Sequence, residues 1–363
     1  MVVTNEQVVN VKFRKEKKRK DKEILRTTRI AMFENVTPEK AITFVRFSVG
    51  LICAWPLPAV ATKAQVLCFR ITKVLNILSA LGLFFPVLYA MVLHRDDAIE
   101  FTKAALMLIA CAQLLTQILI CSSQYDRFQR LIENITASFK SAKSYERRVF
   151  QRYVNTYAKF YGLAALWYYV SSAVVVFGSI LLPQPFPTVS EYPFRVDYEP
   201  VRTIIFVHQA FVGFQCSAAV CVNMFAAVLM LYAAARFEIL MIDLKEATSY
   251  DAFAVCVQKY HAVTGFAKDV VKGTRYIALF TVVYSGIALV LCGLNIIGRQ
   301  SFLVKLQFCF LAWVSLVEVF MCVLPADNLI NVIVSVTVEW YMTVCPTDAL
   351  IDVVPFWTTS CSD

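Results

Sequence analysis

Six runs of apolar residues, at 72–94, 104–122, 161–182, 204–232, 276–298 and 303–324, limit what this chain can become. At 1.5 Å per residue, about 20 residues of helix cross the roughly 30 Å hydrocarbon core of a bilayer. Lipid offers no hydrogen bonds to the backbone, so such runs form helices that close their own bonds. The predicted class is all-α, a multi-pass transmembrane helix bundle. Composition agrees: apolar residues make up 59% and charged residues 17%, where soluble domains carry about 45–50% and about 25%.

The net charge of +9 is concentrated rather than spread. Residues 1–41 hold 11 Lys and Arg, the loop at 123–160 holds 8, and the loop at 233–275 holds 6. The alternate loops carry only Arg95 and Lys103, then Arg195 and Arg202, then Arg299. Basic residues favour cytoplasmic loops, so the pattern places the N-terminus in the cytosol. The basic cluster Lys17–Lys20 has no apolar run beside it, which excludes a secretory signal. On this orientation the sequons Asn35-Val36-Thr37 and Asn134-Ile135-Thr136 both face the cytosol.

The domain reading follows from these runs. Residues 1–41 form a basic cytosolic segment. Residues 42–71 are interfacial or re-entrant, because Arg46 and the Trp55-Pro56-Leu57-Pro58 break interrupt a span there. A crossing at 42–62 would also place every later basic loop outside. Residues 72–324 form the six-span bundle, including the cytosolic loop 233–275. The fourth run continues through Ala233–Leu240, so its helix should project into the cytosol. Phe253, Val257, Tyr260, Val263, Phe266 and Val270 then give one apolar helical face. Together they predict a packed intracellular layer. Residues 325–363 diverge: Leu329–Cys345 is short and holds Asn331 and Glu339, which are costly in lipid.

Catalytic chemistry finds no foothold. His94, His208 and His261 lie on separate elements, most of the 12 cysteines sit inside apolar runs, and no CxxC, HExxH, GxSxG or phosphate loop is present. We expect no enzyme, no metal and no cofactor. Glu318, inside the sixth span, is the structural or gating candidate; such a residue marks a functional site or pairs with a polar group near the cytosolic end. A coupled small-solute transporter would carry more such residues. His208 and Gln209 open the fourth span, with Tyr168, Tyr169, Phe211 and Phe214 nearby. These residues serve equally as helix packing or as the lining of an apolar ligand pocket in the outer half.

A G-protein-coupled-type chemosensory receptor is the main alternative. Three features oppose it: the N-terminus faces inward, no Cys lies in 183–203, and neither an Asp/Glu-Arg-Tyr after the third span nor an Asn-Pro-x-x-Tyr near the end is present. Several stretches instead resemble the insect odorant receptor family, in particular the set found in ants, bees and wasps. They are Trp55–Pro58, Tyr145–Tyr153, Glu191–Arg202 followed by His208-Gln209, Ala235–Leu240, and Glu318–Cys322 with Pro325-Ala326-Asp327.

The resemblance covers about residues 40–330. It implies the tuning subunit of an odorant-gated cation channel, assembled with a shared co-receptor in a heterotetramer in the plasma membrane of a sensory dendrite. It implies a small volatile or hydrocarbon ligand bound among the outer halves of the helices, and a cytosolic anchor between subunits. It also implies a seventh, pore-lining helix. No convincing equivalent follows residue 330, so the expectation is a chain without that helix, able to bind odorant but not to conduct.

Overall fold

The computed structural model describes residues 36–181, 186–299 and 301–344; the Lys17–Lys20 cluster, Asn35 and residues 345–363 lie outside them. The described residues form eight α-helices and no strand. They are α1 (Pro38–Ser48), α2 (Lys63–Leu93), α3 (Ala98–Ser123), α4 (Tyr125–Ser141), α5 (Ser144–Leu181), α6 (Val201–Glu246), α7 (Tyr250–Ile297) and α8 (Phe302–Val344). Six of them, α2, α3, α5, α6, α7 and α8, are long and apolar enough to cross a membrane. Each predicted run coincides with one of these six over nearly its whole length, the runs at 72–94 and 276–298 passing Leu93 and Ile297 by one residue.

The helices outgrow the apolar runs for local reasons. Thr62 and Gln65 form a capping box that starts α2 ahead of the run at 72. Asp97 caps α3 by accepting bonds from the amides of Ile99 (2.9 Å) and Glu100 (3.2 Å). At 46 residues, α6 is about 69 Å long, more than twice what the hydrocarbon requires.

α6 is the axis of the bundle. Its most apolar stretch is 89% buried, against 22–50% for the other five spans. The others pack around it and turn large apolar side chains outward, among them Leu78, Phe85, Val174, Phe177, Leu294 and Trp313. A continuous apolar surface of that size is what a lipid-embedded helix ring presents.

Two ends can be told apart. At one end lie the loop residues 94–97, 186–200 and 298–299. At the other, which we call the extension end, α4, the start of α5, the end of α6, the start of α7 and the end of α8 come together. Here the Tyr145 hydroxyl donates to Asp243 (2.6 Å), Lys259 also donates to Asp243 (2.5 Å), and Arg152 pairs with Glu238. Trp340 of α8 packs on Phe253 and Tyr260 of α7.

Two segments differ from the sequence-based reading. The amphipathic stretch 252–272 is not a separate helix; it is the first half of α7, continuous with the fifth span. Gly273 allows this continuity beside α4, because a Cβ there would lie 2.9 Å from a ring carbon of Phe128. Residues 329–344 are not a separate element either; they extend α8 beyond Pro325. Proline has no amide hydrogen, so the carbonyl of Met321, four residues earlier, loses its helical donor. The Tyr161 hydroxyl of α5 donates to that carbonyl instead (3.1 Å). Glu339 thereby reaches the extension end, 3.5 Å from Lys245 of α6.

The segment before α2 enters and leaves at the extension end. α1 packs against α5 and α6, and carbonyls at its end and in the turn that follows are met deep in the bundle: Tyr169 donates to Ser48 O (2.6 Å) and Asn76 to Leu51 O (2.9 Å). The chain reverses through Gly50–Ile52 and Cys53, whose φ of 54° is left-handed. It then returns past Trp55, whose ring meets Phe225 at a tilt of 55°, to Leu57 and Ala59, whose amides donate to Tyr125 and Glu133.

Candidate functional site

The sequence-predicted ligand residues occupy α5 and α6 and turn in different directions. Tyr168 is buried and donates to Val314 O of α8 (3.1 Å). Tyr169, about 100° further round the helix, reaches α1 instead. His208 sets Nε2 3.0 Å from Ser79 O of α2. Phe214 is half-buried, and Phe211 is 40% exposed on the bundle's outer surface. So α5 and α6 hold these residues at neighbouring levels, but Tyr168, Tyr169 and His208 bond to three different elements, α8, α1 and α2.

Gln209 has a definite task. Its amide oxygen accepts from the backbone N and hydroxyl of Thr188 (3.2 and 2.8 Å), and its amide nitrogen donates to Ser190 (2.7 Å) and Tyr192 (3.1 Å). One buried side chain thus pins the 186–200 segment over the bundle mouth. Glu191 adds a backbone bond to Pro86 O (3.2 Å) and a contact with His94 (3.4 Å). These contacts dock the segment across the neighbouring ends of α2 and α6.

The densest polar constellation lies deeper, around Glu318. Its Oε1 accepts from Gln113 of α3 and from Asn223 of α6 (3.0 Å), and its Oε2 accepts from Ser285 of α7 (3.1 Å). Asn223 in turn accepts from Thr281 (2.9 Å), which accepts from Gln117 (3.3 Å). All six residues are buried. None of the carboxylate's partners is cationic, so donors from three other helices satisfy it through hydrogen bonds alone. The arrangement ties α3, α6, α7 and α8 at one level near mid-bundle. A second chain links His208, Ser79, Gln215, Asn76 and Leu51 along the α2–α6 seam.

Sequence reasoning singled out Glu318 but not Gln113, Asn223 or Ser285. A signal was present: Asn76, Gln113, Gln117, Gln215 and Asn223 each stand as an amide inside an apolar run. Intramembrane polar residues face the bundle interior and find one another. Chemically, the cluster can hold helices in register. Among the described residues no group of three or more His, Cys, Asp or Glu is placed to hold a metal.

The sequence profile of the family described as 7tm Odorant receptor matches residues 97–343, which is well over half of the chain. The chain belongs to the odorant receptor family. Glu318, its four-helix cluster and the Gln209-pinned loop all lie inside the matched region of this receptor. The fold agrees with that of the insect olfactory receptor OR5 from Machilis hrabei, with a TM-score of 0.64 at 13% identity, covering 82% of this chain and 81% of that one. The same Machilis receptor in complex with eugenol gives a TM-score of 0.60 at 12% identity, covering 84% of this chain and 90% of that one. At such identities the likeness establishes the shared helical bundle. No curated protein matches the chain. The family is one of receptors, not of enzymes.

Proposed function

We propose that this receptor is the tuning subunit of an odorant-gated cation channel, acting with a shared co-receptor in a heterotetramer in the plasma membrane of a sensory dendrite. The observation that carries the reading is the family match over 97–343 on a bundle of the receptor fold. A small, mostly apolar volatile or hydrocarbon binds in the half of the bundle beneath the 186–200 segment, contacted by Tyr168, Tyr169, His208, Phe211 and Phe214. The eugenol complex of the Machilis receptor supports a ligand of this size and polarity. The layer built by α4 to α8 at the extension end is the surface offered to neighbouring subunits. No step of covalent chemistry is assigned to any residue.

The reading places the N-terminus and the extension end in the cytosol, as the Lys and Arg distribution supports. A G-protein-coupled orientation reverses this. Asn134 distinguishes the two, being exposed on α4 within an intact sequon. In microsomes, Asn134 is expected to stay unglycosylated, whereas a sequon engineered into 186–200 is expected to be modified. Glycan on Asn134 would overturn the orientation and the channel reading with it.

The ligand class is tested by the unfolding temperature of the detergent-purified receptor, with eugenol and a series of straight-chain alcohols as probes. Neutral apolar volatiles are expected to stabilise it in a graded way, since one methylene in an apolar pocket is worth only about 1–3 kcal/mol. Phe214→Ala is expected to shift the ranking along the series. Stabilisation by charged, water-soluble compounds alone would refute the proposal.

A further inference from the structure

A cavity of about 390 Å³ lies at the extension end between the 57–61 loop, the first turns of α2 and the α3–α4 junction. Its wall carries the cations Arg70 and Lys73, the carboxylate of Asp126, and the polar groups of Ser122, Tyr125 and Gln129. Neither cation lies within ion-pair distance of any carboxylate among the described residues. Lys73 is half-buried, with its ammonium 4.8 Å from the Phe69 ring centre and 5.4 Å from that of Tyr125. Aromatic faces steady a cation without neutralising it. Asp126 leaves a net positive charge on the wall.

The level of this cavity matters. Arg70 and Lys73 bracket the start of the α2 apolar run, and Tyr125 and Asp126 follow the end of the α3 run. The cavity therefore sits where hydrocarbon gives way to headgroups. Its lining is divided evenly between polar and apolar surface, which suits a ligand with a charged head and a greasy neck. Basic pockets between transmembrane helices on the cytoplasmic side bind acidic lipid headgroups. The Tyr125 hydroxyl oxygen already accepts the Leu57 amide (3.1 Å), so its hydrogen stays free to donate.

We propose that this cavity binds the phosphate of an anionic phospholipid headgroup from the inner leaflet, held by Arg70 and Lys73. Through the Leu57 and Ala59 amides the site touches the loop that leads back from the α1 reversal, so an occupied site braces the segment 54–62 against α4. The leaflet assignment rests on the cytosolic N-terminus proposed above. Binding itself does not, because detergent-solubilised receptor exposes both ends.

The full chain, purified in neutral detergent, is titrated with dioctanoyl phosphatidylserine while its unfolding temperature is followed. Dioctanoyl phosphatidylcholine and inorganic phosphate run in parallel. Phosphatidylserine is expected to raise the unfolding temperature saturably, and neither control to match it. The midpoint is expected to rise about fivefold for Arg70→Gln and about thirtyfold for Arg70→Gln/Lys73→Gln, one cation near a headgroup being worth about 1 kcal/mol. It should also rise with salt. Lys40→Gln, which removes an exposed cation on α1, should leave it unchanged. An equal effect of phosphatidylcholine, reproduction by inorganic phosphate, no saturable shift, or an unmoved midpoint in Arg70→Gln would each overturn the proposal. Arg70 is exposed, so its single variant decides the question if the double variant fails to fold.

Discussion

Glu318→Ala is expected to cost the bundle about 2–5 kcal/mol, while Glu318→Gln costs within about 1 kcal/mol. The alanine variant strands three donors at once, on Gln113, Asn223 and Ser285, each on a different helix. Interhelical hydrogen bonds in membranes average about 0.6 kcal/mol and reach about 1.7, so three of them set the range. Glutamine behaves differently because of how the bonds divide. Both amide donors meet Oε1, which the new side chain keeps. Only Ser285 meets Oε2, and its hydroxyl can turn to accept from the new amide. Unfolding of the purified receptor in mixed micelles measures both. Equal losses for the two variants would mean that the carboxylate's charge, and not its bonding geometry, holds the four helices.

That contrast shows where the sequence was legible. The spans were readable because hydropathy reports the membrane directly. Their helical ends were not, since a helix begins where caps and packing allow. The Thr62–Gln65 box starts α2 ahead of its apolar run, and Pro325 fails to stop α8 because Tyr161, on a distant helix, meets the carbonyl that proline leaves unpaired. No local rule contains that rescue. Likewise the six residues of the Glu318 cluster come from four helices, and only assembly brings them to one level.

The candidate ligand residues show the same limit on a smaller scale. Tyr168 and Tyr169 are neighbours in sequence, yet one addresses α8 and the other α1. The helical period predicts the divergence but not the partners. His208-Gln209 was legible as a polar pair in an apolar helix. Its division of labour, one residue to α2 and one to the 186–200 segment, depends on where those elements dock.

Phe225→Ala is expected to destabilise the receptor by about 3–5 kcal/mol, the range for truncating a buried aromatic core residue. Phe225 is fully buried on α6, with ring centroids 5.2 Å from Trp55 and 5.1 Å from Phe128. It therefore joins the chain returning from the α1 reversal to helix α4 in the core, beneath the Leu57–Tyr125 and Ala59–Glu133 hydrogen bonds. Phe128 is itself wedged against Gly273 of α7 and has no room to relax into the vacated volume without losing that contact. The cavity should persist, which is the condition for a cost at the upper end. Trp55→Ala should cost less alone, because its ring is only partly buried. The two changes together should fall short of their sum, since each removes the other's partner. The Cys53 thiol, half-buried in the reversal, reports on the same contact: maleimide labelling mapped by mass spectrometry should speed up in Phe225→Ala. Additivity within about 0.5 kcal/mol, with unchanged Cys53 labelling, would show that the reversal is held by the Tyr169 and Asn76 bonds instead.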